Sequence, residues 1–597
     1  MKKQLLIMAI SAAVSPLSYA DEQVETITVT ATRAVNQSLS TLATQVTLER
    51  ADIELAQAET VPELLSRFAG IDVAQNGAGR QVSSVFMRGA SSDQTLVLVN
   101  GLRVNTASSG AATWYTMSVD LIERIEIVKG PRAAVWGSDA IGGVINIITR
   151  TQSPGSVTVN AKYGTNNTQA YYLGGSVGHG DGATTIAVTK ERSDGLDVLK
   201  TSEPDEDGYD NVSFTVNGAQ SISERIALNW LFKSAQQDTD FDSTYLNKSE
   251  DETQEWQIGG AYNWHVGGVS NTSSLSVGAT KDKNLSFGNG RDKKDGDLFE
   301  TRRDQLTLSN TTQFNEAFSL VVGTDQYEEE LVSSTDFAQT ERRIEGYFGH
   351  GLVDIGRFTA ELALRYDDVE NVDSESTYNA GVGFNITDAL LVSVAKGTGF
   401  KAPTFNDLYF PFGGNAELLS ETSETEEVSI TYQTNTVDAS LSYYTTDIEN
   451  LIEWAPDADN IWQPRNIAQA EISGVDIIAS YSGFGGRHTV NYGYLDAVDA
   501  RNDTRLARRA KNQFSYQFMA SFDTTDFLFN YEYKGDRVDQ GTTLESYQIV
   551  DVSVNHRFSD VVSGKLKLHN LFDEEYETVF NYQTLGRAVY LSINYQM

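Results

Sequence analysis

Apolar and polar positions alternate along most of this chain. Phe514, Tyr516, Phe518, Ala520 and Phe522 interleave with Ser515, Gln517, Met519 and Ser521. Val550, Val552 and Val554 interleave with Asp551, Ser553 and Asn555. Val589, Leu591, Ile593, Tyr595 and Met597 have Tyr590, Ser592, Asn594 and Gln596 on the opposite side. Successive side chains of a strand point to opposite faces, so each segment predicts a strand that is apolar on one face and mostly polar on the other. The pattern runs from residue 153 to residue 597 without a helical interlude, and charged, Gly- and Asn-containing stretches such as 202–211 and 282–297 separate the segments.

A water-soluble sandwich also alternates. These segments, however, approach the ~9–11 residues that a tilted membrane-spanning strand needs. Division of the region into about 22 strands leaves about 20 residues per strand with its connection, the size of a plugged outer-membrane transporter barrel. An apolar outside and a polar inside suit lipid and lumen together, and closure leaves no unpaired edge in hydrocarbon. The predicted fold is an all-β transmembrane barrel of about 22 antiparallel strands.

Residues 33–152 have a different texture. Residues 51–58 and 61–68 predict short helices, with Leu64, Leu65 and Phe68 on one face and Gly70 as a stop signal. Residues 96–99 and 122–128 predict short strands, which makes this stretch a compact α+β domain. At the N-terminus, Met1, Lys2 and Lys3 precede an apolar run from Leu5 to Val14 and a small-x-small site at Ser18, Tyr19 and Ala20. That reads as a secretory signal peptide over residues 1–20, cleaved after Ala20. Residues 21–32 form a tail between the signal peptide and the α+β domain.

Composition narrows the function classes. The 597 residues contain 82 Asp+Glu against 45 Lys+Arg and no Cys. The absence of Cys excludes disulfides, thiolate metal sites and a Cys nucleophile. A net charge of −37 argues against nucleic acid as a partner. The hydrophobic content of 40% is that of an ordered chain. The six His are scattered, with no H-E-x-x-H pair. Gly174-Gly175-Ser176-Val177-Gly178 matches G-x-S-x-G, but period-2 sequence flanks it on both sides, where a nucleophile elbow needs a strand and then a helix. Residues 137–143 lack a dinucleotide fingerprint. Neither an enzyme nor a redox or nucleotide cofactor is expected.

Several motifs carry a resemblance. Glu25, Thr26, Ile27, Thr28, Val29, Thr30 and Ala31 form a short β-prone stretch near the predicted cleavage site, suited to joining another protein's sheet edge. It resembles the TonB box. Phe86-Met87-Arg88-Gly89, residues 95–103 and above all residues 128–149, which include Val128-Lys129-Gly130-Pro131-Arg132 and Gly142-Gly143-Val144-Ile145-Asn146, resemble the plug signature of TonB-dependent outer-membrane receptors. Lys401-Ala402-Pro403 with Leu408, Tyr409 and Asn415, and Asn570-Leu571-Phe572-Asp573 with Tyr576 and Glu577, resemble barrel motifs of the same family.

The resemblance implies a plug over 33–152, a barrel over 153–597 and ligand-gated import powered by the periplasmic protein TonB. The barrel is expected to act as a monomer in contact with outer-membrane lipid and lipopolysaccharide. Residues 576–587, Arg508-Arg509-Ala510-Lys511 and residues 81–86 are most like the cobalamin receptors of the family. Asn100 stands where an Asp is usual, and Met597 where a terminal aromatic is usual.

Asp197, Glu203, Asp205, Asp207 and Asp210 crowd around Gly208, and Asp238, Asp240 and Asp242 read as carboxylates on one strand face. Such groups repel one another unless a cation or solvated loop relieves them. By composition alone they are solvated loops of an acid-rich chain. The resemblance implies a calcium site formed by Asp197, Glu203, Asp205, Asp207, Phe241 through its carbonyl, Asp242 and, more loosely, Asp251, in keeping with the oxygen ligands Ca²⁺ prefers. It also implies ligand contacts at Val82, Ser84 and Ser91, at Ser108, Ser109 and Gly110, and at Arg508. The alternative cargo is a ferric siderophore or other metal chelate, although acidic loops favour a neutral or cation-assisted ligand over an anionic one. Two further alternatives, an outer-membrane barrel enzyme and a passive porin, have no need of a plug or a TonB box.

Overall fold

The structure is a computed structural model that describes residues 31–33, 42–200, 204–243, 245–456 and 462–597. The predicted signal peptide, residues 25–30 of the predicted box and Glu203 lie outside the described residues. Barrel strands begin at Val157–Gly164 and end at Ala588–Gln596, and these two pair antiparallel to close a 22-strand barrel. Every barrel neighbour is antiparallel and consecutive in sequence, apart from the two-residue strand Thr504–Arg505 beside Gly486–Asp499.

Connections at one rim are short, such as 267–268, 316–317, 356–357 and 484–485, whereas those at the other rim are long, such as 194–208, 402–420 and 570–587. Short periplasmic turns and long extracellular loops are the rule for such barrels, which orients the molecule. The outer wall exposes Leu173, Ile258, Leu308, Leu364, Val394 and Leu591, with Phe358, Phe484, Phe522 and Phe558 at the short-turn rim as an aromatic girdle. Among the described residues no helix is long and apolar enough to cross a membrane; the strands do so.

Several strands outrun the bilayer. Trp462–Gly483 is 22 residues long and Val269–Phe287 is 19. The stretches 202–211 and 282–297, expected as separators, are therefore partly strand: Tyr209–Ser223 and Val269–Phe287 extend into them. At these ends the lumen-facing polar groups find partners on the plug, as Asp282 does with Thr113.

The plug fills the lumen. Its five-stranded sheet has the order Gln45–Leu48, Ile122–Lys129, Gly143–Thr149, Thr95–Val99, Leu102–Arg103, with one parallel pairing, between Thr95–Val99 and Gly143–Thr149. The two expected helices are Arg50–Ala56 and Val61–Leu65, each ending before its predicted limit, and a third, short one is Ala133–Trp136. Gln57 takes a left-handed conformation that caps the first, and the chain turns through Gly70 after the second. Leu64, Leu65 and Phe68 are buried in one core with Ile53, Val97, Ile125 and Ile145. Gly143 is required where it stands, because a Cβ there would meet the Val128 carbonyl oxygen at 2.2 Å.

Candidate functional site

At the long-loop rim the plug hairpin Ile71–Gln75 and Ser83–Met87 raises the loop 76–82 towards the barrel mouth. That loop packs beneath the extracellular loop 194–208. A Cβ on Gly77 would meet Val198 at 2.5 Å, so only glycine allows this approach. On its other side, loop 194–208 is tied to loop 570–587: the Gln583 amide donates to the Asp197 carbonyl (2.7 Å) and the Gln583 backbone N–H to the Val198 carbonyl (2.8 Å).

Three carboxylates converge here. Oxygens of Asp197, Asp207 and Asp242 lie within 4.8 Å of one another. The backbone N–H of Val198 donates to Asp207 (2.9 Å) and that of Leu199 to Asp242 (3.1 Å), while Asp197 Oδ1 is buried with no hydrogen-bond partner. Among the described residues no lysine or arginine forms an ion pair with any of the three. At this spacing each ionised pair repels by roughly 3 kcal/mol near a protein surface. Burial, together with the charges of Asp242, Asp205 and Asp197, pushes the Asp207 carboxyl up to about 7 against the Val198 hydrogen bond. Burial and the same neighbouring acids raise Asp197 as well. A second acidic group, Glu63, Asp551 and His569, differs in kind: Lys567 Nζ lies 2.6 Å from Glu63, and Arg67 pairs with both acids, so cations of the chain already balance it.

The donor set of the first group therefore suits a hard divalent cation, having carboxylate oxygens, an orphaned buried acceptor and no internal counter-charge. Asp205 is exposed nearby and adds to the field on Asp207. Phe241 adjoins Asp242 in the chain. Asp251 lies elsewhere, accepting from Tyr115, Asn284 and Ser249. Asp238 and Asp240 do not share a face with Asp242. The strand Ile226–Asp240 ends before it, Asp240 pairs with Lys248, and Asp242 turns inward.

Beside the triad lies a cavity of about 320 Å³ between plug and barrel. Its walls include Arg80, Gln81, Val82, Tyr115, Asp242 and Tyr582. Val82 is 54% exposed, a large apolar side chain presented to the mouth. Ser84, two residues on, pairs with Ala74 within the hairpin. Ser91 caps the turn Ser92–Gln94 and accepts from Arg509 (3.1 Å). Ser108 and Gly110 are buried, and the Ser108 carbonyl accepts from Asn406, whereas Ser109 is exposed. Arg508 is committed to Asp539 (2.9 Å).

Its neighbour Arg509 makes the crossing to the plug, donating to the Gly89 carbonyl (3.1 Å) and stacking over Phe86 at 4.4 Å. The resemblance pointed to Arg508 as the ligand contact, but Arg508 turns to Asp539 and it is Arg509 that faces the plug. The left-handed backbone at Arg508 (φ 66) parts their directions. Sequence reasoning also missed Arg80 and Tyr582, whose place beside the triad depends on loops brought together only by barrel closure.

The chain's relatives agree with this architecture. A family model described as "TonB dependent receptor-like, beta-barrel" matches residues 149–571, and one described as "TonB-dependent Receptor Plug Domain" matches residues 37–144. The chain belongs to the TonB-dependent receptor family. Members are outer-membrane β-barrel receptors that work with TonB, and not enzymes. The receptor is 32% identical over 615 residues to the "Vitamin B12 transporter BtuB" of Photobacterium profundum, covering 100% of both chains. It is 29% identical over 614 residues to the protein of that name from Vibrio cholerae serotype O1, again covering 100% of both. Among solved structures it resembles the siderophore receptor PirA from Acinetobacter baumannii, with TM-score 0.79, 18% identity and coverage of 93% of this chain and 98% of that one. It also resembles a ferric enterobactin receptor (PfeA) mutant from Pseudomonas aeruginosa, with TM-score 0.79, 16% identity and coverage of 93% and 100%. At those identities the shared feature is the fold.

Proposed function

We propose that this receptor imports cobalamin, or a close corrinoid, across the outer membrane, and that calcium binding prepares its mouth for the ligand. The observation that carries the reading is Asp242, which belongs both to the carboxylate triad and to the wall of the 320 Å³ cavity. Asp197, Asp207 and Asp242 would hold the ion, with Asp205 and the Phe241 carbonyl beside them. Calcium supplies the positive charge that lets the loops carrying these acids close together. The loop 194–208 then holds the plug apex through Val198, and Val82 presents an apolar surface to the corrin ring. The cavity's amide and hydroxyl groups suit the neutral amide side chains of a corrinoid. Full-length relatives named for vitamin B12 transport support the same cargo.

Residues 25–31 serve as the strand that pairs with TonB, and Ala31 stands at the first described position, buried in the lumen. The second reading, a siderophore receptor, rests on neighbours that share the fold. Calorimetric titration of the purified receptor with cobalamin and with ferric siderophores, each with and without calcium, separates the two. Tight siderophore binding with none of cobalamin reverses the assignment.

A further inference from the structure

Ion pairs tie the plug to the barrel around most of the lumen. Arg33 pairs with Asp325, Arg132 with Glu361, Lys401 with Asp93, Arg88 with Glu427 and Asp476, Arg67 with Asp551, Lys567 with Glu63, Lys162 with Glu59, and Arg80 with Glu191. One sector differs. On the four consecutive strands from Tyr209–Ser223 to Val269–Phe287, no salt bridge joins plug to barrel among the described residues, whereas on the next strand Arg303 donates to the plug carbonyls of Arg103 and Asn105. Contacts there are hydrogen bonds: Tyr115 to Asp251, Thr113 to Asp282, Thr116 with Thr253, Asn217 to Thr149, Gln81 to the Asp240 carbonyl and Gln237 to the Arg80 carbonyl.

The same sector holds a cavity at each end. The ligand cavity at the mouth takes Thr239, Ser249 and Asn284 from its strands. A second cavity of about 300 Å³ reaches the short-turn rim, and its wall is built of small residues, including Gly218, Ala219, Gly259, Ala261 and Ser276. Three strands, Ile226–Asp240, Lys248–Val266 and Val269–Phe287, line both, and on the middle one Ser249 lines the upper cavity and Gln257 the lower. Between these two, Asp251 and Thr253 face the plug segment 113–117, whose Trp114 and Met117 are anchored in the plug core. Asp251 and Asp282 accept only from hydroxyl and amide groups among the described residues, so this wall is acidic and poorly suited to an anionic chelate.

We infer that the ligand passes the plug along this sector, from the upper cavity to the lower, when segment 113–117 leaves the wall. Hydrogen bonds here each contribute about 0.5–1.5 kcal/mol, or about 1.5–3 where a carboxylate accepts, whereas breaking a buried ion pair leaves a charge uncompensated at a cost of about 3–5 kcal/mol. Under load the sector therefore parts first, and the ion-paired remainder keeps the plug inside the barrel. The inference rests on the cobalamin reading above.

The chain has no native Cys, so engineered pairs report without interference. Thr116 Oγ1 and Thr253 Oγ1 lie 3.4 Å apart, within disulfide reach. The variant T116C/T253C locks the segment to the sector wall. The variant T44C/S442C locks the plug to another wall, where Thr44 Oγ1 and Ser442 Oγ lie 3.1 Å apart. Surface binding and accumulation of labelled cobalamin are measured in whole cells, oxidised and then reduced. The expected result is that oxidised T116C/T253C binds cobalamin but accumulates at least tenfold less, that reduction restores import, and that oxidised T44C/S442C imports within twofold of wild type. Normal import by oxidised T116C/T253C, or an equal block by both locks as whole-plug displacement requires, overturns the inference alone. A wild-type receptor that binds no cobalamin overturns the cobalamin reading, and this inference with it.

Discussion

Arg33 grips Asp325 with one guanidinium nitrogen at 2.9 and 2.7 Å from the two carboxylate oxygens, while its plane stacks over Trp136 at 3.8 Å. Asp325 is fully buried and also accepts from Arg365 at 2.7 Å. The first described residues after the predicted TonB box are thus tied to barrel and plug together. Arg33→Ala leaves Asp325 its second partner, so the barrel is expected to stay folded while residues 31–33 lose their hold on it, read by a spin label at position 32. Asp325→Asn leaves two buried guanidinium groups facing a neutral amide, an effect of about 3–5 kcal/mol. It is expected to lower the thermal midpoint more than Arg33→Ala does, and equal midpoints would contradict the shared clamp.

Val29→Pro removes a backbone donor from the segment that would pair with TonB. Cells carrying it are expected to bind cobalamin at the surface as wild type does and to accumulate none. Normal accumulation would place the coupling segment elsewhere.

The carboxylate triad predicts reciprocal linkage. Calcium and cobalamin each favour the ordered mouth, so each raises the affinity for the other, typically by about 5- to 150-fold. Replacement of Asp205 and Asp207 together by Ala is expected to weaken cobalamin binding and to abolish its calcium dependence while the barrel stays folded. Cobalamin affinity measured across a calcium titration decides the matter. A flat wild-type response from chelator to millimolar calcium would make these acids ordinary solvated loops.

A pH dependence follows with a definite sign. The Asp207 carboxyl is raised to about 7, so without metal the folded loop holds its proton more tightly than the unfolded chain does. The strain of the acids in the metal-free loop is therefore absent at pH 4 and sets in as pH rises through 7. Calcium must displace that proton, so its affinity is expected to be full at pH 8 and to fall about tenfold per unit below pH 7. Asp207→Asn, titrated by calorimetry at pH 6 and 8, should lose most of that slope.

Arg509→Ala removes the stack on Phe86 and both hydrogen bonds to the plug. Loop 500–511 is expected to become cleavable by protease added to whole cells, while Arg508→Ala, which breaks only the Asp539 pair, leaves it protected from the plug side.

The barrel was legible in the sequence because one physical demand, lipid outside and water inside, acts on every strand and leaves the period-2 signature of residues such as 514–522 and 589–597. The plug's helices were legible in place but not in length, since their ends depend on Gln57 and on the turn to Gly70. The site was partly legible. The crowding of Asp197, Asp205 and Asp207 is local, and so is visible in the chain. That Asp242 joins Asp197 and Asp207, that Asp251 turns instead to Tyr115, and that Arg509 rather than Arg508 reaches the plug are consequences of long-range contacts. Neither residue type nor spacing encodes those.

The seam between Val157–Gly164 and Ala588–Gln596 bears on how the molecule is made. Val589 donates to the Thr165 hydroxyl across 424 positions of sequence, and Val157 and Met597 exchange backbone hydrogen bonds in both directions. The main chain of Met597 makes those bonds, whatever its side chain. Until the final strand is delivered, the strand Val157–Gly164 has a bare edge, and that edge is intolerable in hydrocarbon. Closure in hydrocarbon therefore depends on the final strand, and until it arrives that edge needs another partner or water. Loss of the last nine residues would stop biogenesis rather than merely weaken the product.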